Sequence, residues 1–352
     1  MTDIRSDIAS RVEDACRQGQ ALQILAGNTK FFYGRKIQET PLSVLEHSGI
    51  IEYEPSELYI TARCGTPLNE IEQAIKTENQ ILPCEPPHFG AAASIGGMVA
   101  AGLSGPRRAS SGAIRDCLLG VEIINGKGEY LRFGGKVMKN VAGYDASRLM
   151  CGALGTLGIL MSVTLRLVPK PQHEQTIAIT LNPADAILKM NFWARTPMPI
   201  TATFHDGRDL YIRMAGSPST IKRFADKVKG EPIDQGDIFW TNIKEQAYDF
   251  FLTDEPLWRI LVPPSTKPLD CPGSCVMEWN GALRWYATHV KAPAIHSIAK
   301  QAGGHACQFR NQIDTQQVFH PLPSGLLEIH RKLKRAFDPQ GILNPGKIYS
   351  EL

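Results

Sequence analysis

The stretch Pro83–Gly120, PCEPPHFGAAASIGGMVAAGLSGPRRASSGAIRDCLLG, decides how the rest of the chain is read. Between Gly90 and Gly105 nearly every side chain is Gly, Ala or Ser, and no charge falls before Arg107 and Arg108. Such a run has too little volume to fill a core. Its physical use is close approach of backbone, because main-chain N–H groups flanked by a methyl or less can reach an anionic or flat ligand. A pyrophosphate joined to an aromatic ring system needs that kind of surface. Other uses fit less well. A membrane-spanning helix needs about 20 apolar residues, and this run is shorter and closed by Pro106-Arg107-Arg108. Gly97 and Ala101 have small-xxx-small spacing but meet the same objection of length. A phosphate loop of the G-x-x-x-x-G-K-[ST] kind is excluded, since no Gly-Lys-Ser/Thr occurs here. A tightly packed structural turn remains the plain alternative.

The chain has 352 residues, 43% of them hydrophobic, which suits two domains better than one. Its net charge of +3 comes without a Lys/Arg block interleaved with aromatics, so nucleic acid is not expected as a partner. The first residues, Met1 to Asp7, are polar and lack the apolar core of a secretory signal, which points to the cytoplasm. Eight cysteines are scattered with no C-x-x-C; they read as reduced, mostly buried thiols. Cys271 and Cys275 form the closest pair, whereas a zinc or iron–sulfur site wants several thiolates at short regular spacing. No metal site is expected, and any cluster that receives electrons belongs to another chain.

Apolar spacing predicts a helix over Ile4–Cys16, then a strand at 20–25 running into Ala26-Gly27-Asn28-Thr29-Lys30. That turn either closes an Asx or ST turn or offers N–H groups to a diphosphate. Strands follow at 49–53 and 58–63. A helix opens at Thr66-Pro67, with Thr66 as cap and Leu68, Ile71, Ala74 and Ile75 as its apolar face. After the small-residue run, Asn125-Gly126 between two apolar alternations predicts a hairpin, 118–124 against 129–133. A second glycine-rich segment, Lys139-Asn140-Val141-Ala142-Gly143-Tyr144-Asp145 and then Gly152-Ala153-Leu154-Gly155-Thr156-Leu157-Gly158, precedes a strand at 159–168. This is not the G-x-G-x-x-G of a nicotinamide Rossmann fold, whose glycines follow a strand and open a helix. From Gln175 the pattern is that of an antiparallel α+β unit. Its strands are expected at 176–181, 201–205, 209–215, 258–262, 275–279, 283–289 and 305–310, and its helices at 183–194, 219–229, 241–252 and 293–302. A last amphipathic helix, 325–337, leads to Asp338-Pro339-Gln340-Gly341-Ile342-Leu343-Asn344-Pro345-Gly346-Lys347.

Taken in order, several of these segments resemble the FAD-binding superfamily of vanillyl-alcohol oxidase and p-cresol methylhydroxylase. Within it the chain is similar to the smaller FAD-binding subunits of bacterial glycolate oxidases. The resemblance rests on Ala26–Lys30, on Ser94-Ile95-Gly96-Gly97 with Gly105-Pro106-Arg107-Arg108 and Arg115-Asp116, on Lys139–Asp145, on Gly152–Gly158, and on Phe337-Asp338-Pro339 with Gly341–Lys347. It runs over essentially the whole chain. It implies a two-subdomain PCMH-type FAD-binding domain over residues 1–170, a smaller α+β, ferredoxin-like cap over 175–320, and a C-terminal helix and tail, 324–352, that return to the first domain.

By the same resemblance, Ala26, Gly27, Asn28, Thr29, Lys30, Ser94, Ile95, Gly96 and Gly97 hold the pyrophosphate. Gly105, Arg107, Arg108, Arg115 and Asp116 pass beside the flavin. Gly152, Gly155, Thr156 and Gly158 line the adenosine side. Asn344 and Lys347, which follow the last helix, are candidates to touch the isoalloxazine edge. The first loop has no histidine for a covalent link, so FAD is expected to be noncovalent. The implied activity is oxidation of glycolate and related small 2-hydroxy acids to 2-oxo acids. The implied partners are a larger FAD-binding subunit and an iron–sulfur subunit, with association to the inner membrane through them. That chemistry needs a hydride acceptor, a cation for the carboxylate and a base for the hydroxyl proton.

Candidates for the last two roles are Arg259, His305 and Arg310, among cap positions that also include Trp279, Arg284 and Trp285. His305 reads equally as a base titrating near neutrality or as a structural histidine, and the two tryptophans as core. Arg107 and Arg108 are a ligand clamp or a solvated pair; Arg115-Asp116 is also readable as an internal ion pair. The larger subunits carry an H-G-D-G-N motif that this chain lacks. An electron-relay or assembly subunit is therefore the rival to a catalytic one. A stand-alone FAD oxidoreductase is a third reading, and it requires a nicotinamide site that the sequence does not display.

Overall fold

The Asn125-Gly126 signal is realised as a hairpin, Leu118–Ile124 against Tyr130–Gly134. Asn125 Oδ1 fixes the turn by accepting from the amides of Lys127 (2.9 Å) and Glu129 (3.0 Å). The hairpin is one edge of an antiparallel five-stranded sheet in the order Ile50–Glu54, Tyr59–Arg63, Ile159–Arg166, Leu118–Ile124, Tyr130–Gly134. Ile159–Arg166 sits at its centre and is buried along nearly its whole length, as the run ILMSVTLR requires. The computed structural model describes residues 3–136, 145–313 and 316–352. By contact it divides into two units: Met1–Leu103 with Ala113–Pro169 and Leu322–Leu352, and Ser104–Gly112 with Lys170–Pro321. The short segment 104–112 thus groups with the second unit.

In the first unit the helices Leu68–Lys76 and Ile95–Ala101 pack on the sheet through Leu68, Ile71, Ile75, Ile95, Met98 and Val99. Pro67, not Thr66, stands at the N-cap of the former, and Thr66 is spent elsewhere. Its Oγ1 donates to the Arg63 carbonyl (2.7 Å) and accepts from the Gly49 amide (2.9 Å). A second, smaller core joins helix Arg5–Gln18 to Leu22, Leu42, Ile342 and Leu343. There Leu22–Leu25 pairs in parallel with Thr40–Ser43, a strand that its Pro41 and mixed polarity conceal in the sequence.

The C-terminal helix, Ser324–Phe337, ends in a buried ion pair. Lys334 Nζ donates to Asp338 Oδ2 (2.7 Å) and to the carbonyls of Thr156 (2.8 Å) and Leu343 (2.7 Å). Asp338 in turn accepts from the amides of Ile342 (3.1 Å) and Leu343 (2.8 Å). Every donor and acceptor of this buried pair that needs a partner finds one, the condition under which such a pair is tolerated.

The second unit is an eight-stranded sheet in the order Glu231–Pro232, His173–Thr180, Asp209–Gly216, Ile200–His205, Ser274–Glu278, Leu283–Ala287, Leu257–Leu261, His305–Arg310. Helices Pro183–Trp193, Pro218–Val228 and Ala292–Gln301 cover one face through Ile177, Ile212, Met277, Trp258, Ile260 and Tyr286. The helix expected at 241–252 is instead Gly236–Lys244, followed by a single 3₁₀ turn, Asp249–Phe251. Its aromatics Phe239 and Trp240, with Phe251, pack the opposite face against Phe204, Tyr211 and Trp285. Among the described residues no helix is long and apolar enough to cross a membrane.

Candidate active site

In the first unit, strand Leu22–Leu25 leads into Ala26–Lys30, and these residues open onto a cleft with about 890 Å³ of space, part of it open to solvent. Ala26, Gly27, Asn28, Thr29 and Lys30 line the cleft on one side. Ser94, Gly96, Gly97 and Ala100 line it on another, and Gly155, Gly158 and Asn344 complete the wall. Asn28 lies in the left-handed region (φ 55°), with its Oδ1 accepting from the Ala26 amide (3.3 Å). The turn therefore ties itself through a side chain. Among the described residues nothing accepts from the amides of Gly27, Asn28 and Thr29. Three free donors in succession at the end of a strand form a site for an anion.

The small-residue run behaves differently. The amides of Ile95 and Gly96 donate to the carbonyls of Thr66 and Cys64 (both 2.9 Å), and that of Gly97 to the Ser94 hydroxyl (3.2 Å). These donors are already used within the protein. What the run contributes is thinness: a Cβ on Gly96 would come within 2.5 Å of Cys64 Cβ, and one on Gly27 within 1.5 Å of the Ala92 carbonyl oxygen. Gly27 thus lies directly against the Ala92 backbone, and Gly96 against Cys64, approaches that any side chain at either glycine would block.

The tail completes the cleft. Asn344 Oδ1 accepts from the Ile24 amide (2.8 Å), and its Nδ2 donates to the Leu154 carbonyl (2.6 Å). One amide side chain thus joins the first strand to the second glycine-rich segment. Lys347 also lines the cleft and is buried, its Nζ donating to the carbonyls of Arg35 (3.1 Å) and Phe31 (3.4 Å). Burial without a carboxylate neighbour pushes its pKa down to about 8.

Several expected cofactor residues lie away from this cleft. Ile95 is core. Thr156 is buried, its hydroxyl bonded to the Ala153 carbonyl (2.7 Å), and Gly152 does not reach the lining. Arg115 and Asp116 form an exposed, loose ion pair (3.9 Å), and Asp116 Oδ2 caps the Ala113 amide (2.8 Å). In the second unit the Gly105 carbonyl accepts from Trp279 Nε1 (3.0 Å), and Arg107 is buried against Glu174 (2.6 Å). Arg108 lies 4.4 Å from the centre of the Trp279 ring. The motif Lys139–Tyr144 falls outside the described residues; of its members only Asp145 is seen, accepting from Ser147 Oγ (2.6 Å).

Strand register places Arg259, His305 and Arg310 on the sheet face opposite the three helices of the second unit. Arg259 pairs with Cys307, His305 with Leu261, and Arg310, past a bulge, with Leu257. Protein crowding around the His305 ring, then the charge of Arg259 and the proximity of His320, lower its pKa, which favours neutral imidazole. Arg259 also lies 5.3 Å from the centre of the Trp279 ring, which Arg108 contacts as well. Trp279, Asn280 and Gly281 all have positive φ, a turn pinned by Thr203 Oγ1 accepting from the Asn280 amide (3.0 Å). Next to it Glu278 is buried, accepting from Trp285 Nε1 (2.8 Å), and burial raises its pKa to about 7.

Both tryptophans are core, and Arg284 differs from the other cap arginines. It is buried on the helix side, and its guanidinium donates to the carbonyls of Gly281, Lys267 and Thr266. Glu278 is the residue that sequence reasoning left without a role, and Lys347, expected at the isoalloxazine edge, was not foreseen as a buried cation without a carboxylate partner. Glu278 sits in an apolar strand pattern and Lys347 follows Asn344-Pro345-Gly346 in the tail beyond the last helix; a charge in an apolar run is the signal for the first.

A unit built on an antiparallel sheet with a backbone-lined anion cleft, in a chain whose second unit is an eight-stranded sheet bearing cations, fits an FAD-linked oxidoreductase. The FAD binding domain family matches residues 4–134, and the C-terminal domain of FAD linked oxidases matches residues 322–348. The chain belongs to this family of FAD-linked oxidases and FAD is its cofactor. It is 41% identical over 350 residues to the glycolate oxidase subunit GlcE of Escherichia coli (strain K12), with 99% of each chain covered. It is 31% identical to the glycolate oxidase subunit GlcD of Bacillus subtilis (strain 168), covering 86% of this chain and 77% of that one. A 4-ethylphenol oxidase from Gulosibacter chungangensis shares the fold at a TM-score of 0.68 and 16% identity, covering 99% and 88%. The cleft fits the cofactor: free amides and two ammonium groups suit a diphosphate, and Ile24, Tyr33, Leu154 and Leu160 suit its rings.

Proposed function

We propose that this chain is the FAD-binding subunit of a complex that oxidises glycolate and related short 2-hydroxy acids to 2-oxo acids. Its partners in that reading are a larger FAD-binding subunit and an iron–sulfur subunit, through which it would reach the inner membrane. The observation that carries the reading is the cleft with its free amides at Gly27–Thr29, in a chain similar over 99% of its length to a glycolate oxidase subunit.

Bound FAD supplies the acceptor for the hydride leaving the substrate's C2. The protein does the rest. Gly27, Asn28, Thr29 and Lys30 hold the diphosphate, Gly96 and Gly97 let the wall come close, and Asn344 keeps the two sides in register. With no histidine in residues 26–30, the cofactor is held without a covalent bond. On the second unit, Arg259 and Arg310 provide fixed forks for a carboxylate. His305, exposed at the start of its strand with its pKa lowered by its surroundings, is the acceptor for the hydroxyl proton.

The missing H-G-D-G-N stretch favours a second reading, in which this flavin relays electrons or stabilises the assembly and never meets substrate. Anaerobic addition of glycolate to the purified chain separates the two. Bleaching of the oxidised flavin spectrum supports a working substrate site. Bleaching only after the partner subunits are added supports the relay.

A further inference from the structure

Lys347 is 8% exposed and lines the cleft, and Lys30 is the other charged residue of that lining; no Asp or Glu is among the residues that form it. An ammonium has three donors. Two of those on Lys347 are directed to the carbonyls of Arg35 and Phe31, which leaves one for a ligand. Neither the ionisable residues that line the cleft with it nor Arg35, whose carbonyl it contacts, supplies a counter-charge. Arg35 is cationic and donates to the Gly346 carbonyl (2.6 Å), Lys30 is cationic, Tyr33 is a phenol, and burial raises the Cys64 thiol far above neutrality. Among the described residues no carboxylate acts on Lys347, and burial alone shifts it. A buried charge without a partner is costly unless something anionic enters beside it.

We propose that Lys347 is the counter-charge of the cofactor's diphosphate, tying retention of FAD to the C-terminal tail. This rests on the reading that the cleft holds FAD. It has a consequence for pH. In the empty cleft Lys347 loses its proton at about pH 8, whereas an adjacent diphosphate holds the proton on. Below that pH the lysine is charged with or without ligand, and affinity does not vary. Above it, binding must take up a proton, so affinity falls with rising pH by up to about tenfold per unit.

The test is binding of FAD, and separately of riboflavin, to the full-length chain freed of cofactor, followed by flavin fluorescence between about pH 6.5 and 9.5. Wild type, Lys347→Arg and Lys347→Met are compared. Wild-type affinity for FAD is expected to be flat and then to fall above about pH 8. Lys347→Arg, charged throughout, should match wild type at neutral pH and stay flat. Lys347→Met should bind FAD at least about tenfold more weakly at neutral pH, also without the bend, and riboflavin should be indifferent to all three side chains.

The proposal is overturned if Lys347→Met binds FAD as wild type does or keeps the bend. It is also overturned if riboflavin loses the same factor as FAD, which would put the lysine on the ring system. Should Lys347→Met fail to fold, the wild-type and arginine curves decide alone: two curves that bend together overturn it. Absence of FAD uptake by folded wild type at every pH overturns the cleft reading itself, an outcome distinct from all of these.

Discussion

The two units present their chemistry in opposite ways. In the first, the candidate site is made of backbone: free amides at Gly27–Thr29, carbonyls and thin glycine walls, with side chains at the margin. In the second it is made of side chains, Arg259, His305 and Arg310, held on one face of an antiparallel sheet by strand register. A backbone site demands particular residue types in consecutive positions, because only small residues allow the approach. A side-chain site demands only that alternate positions on neighbouring strands carry the right groups, and any of many sequences meets that. The first kind should therefore fail sharply on a single added methyl, and the second should tolerate substitution while losing one function at a time.

The largest effect is expected at Gly27. A Cβ there would stand 1.5 Å from the Ala92 carbonyl oxygen, and the atom in the way is backbone that cannot rotate aside. Gly27→Ala should abolish FAD uptake, read as absence of flavin absorbance in purified protein, with destabilisation of more than about 3 kcal/mol. Lys334→Met comes next. It strands a carboxylate, Asp338, that is 1% exposed, and should cost about 3–5 kcal/mol in denaturant unfolding.

Glu278 sharpens the picture of the second unit through pH. Its folded pKa, about 7, lies above its ordinary value of 4.5, so the folded state binds the extra proton and stability falls as pH rises from about 4.5 to about 7. Glu278→Gln should remove about 3 kcal/mol of that fall, visible as a flatter profile of unfolding free energy against pH.

Asn344→Ala leaves the Ile24 amide and the Leu154 carbonyl unpaired and should cost about 2–3 kcal/mol, with weaker FAD binding. The smallest effect on stability is expected at His305, where His305→Gln should change unfolding by less than about 0.5 kcal/mol. If His305 is the base, the same substitution removes the acid limb of complex turnover, which lies below the ordinary histidine pKa because the group's pKa is lowered.

The same contrast explains what could be read in advance. The sequence located the five strands of the first sheet and its helix at Leu68–Lys76, the hairpin at Asn125-Gly126 and nearly every strand of the second sheet, since apolar alternation and turn residues are local signals; the helix Ile95–Ala101 inside the small-residue run was not foreseen. It located the loop Ala26–Lys30 and the wall at Ser94–Gly97 for the same reason. It could not tell that the amides at 95–97 are already bonded while those at 27–29 are free, because acceptors such as the Cys64 and Thr66 carbonyls come from distant residues. Arg107 and Arg108 looked like a ligand clamp beside a glycine run. Their partners are Glu174 and Trp279, 67 and 171 positions away, and no local pattern announces such a pairing. Nor did anything mark Thr40–Ser43 as a strand, since it pairs in parallel with Leu22–Leu25 across the whole connection 26–39, and no local turn signal announces such a pairing.

The most direct measurement is the FAD binding isotherm of the folded chain at neutral pH, alongside Gly27→Ala and a conservative surface control. Saturable uptake of one FAD per chain, lost in Gly27→Ala and kept in the control, is the result predicted for a cleft built from backbone. A folded wild-type chain that takes up no FAD, or a Gly27→Ala variant that binds it as tightly as wild type, would contradict that account.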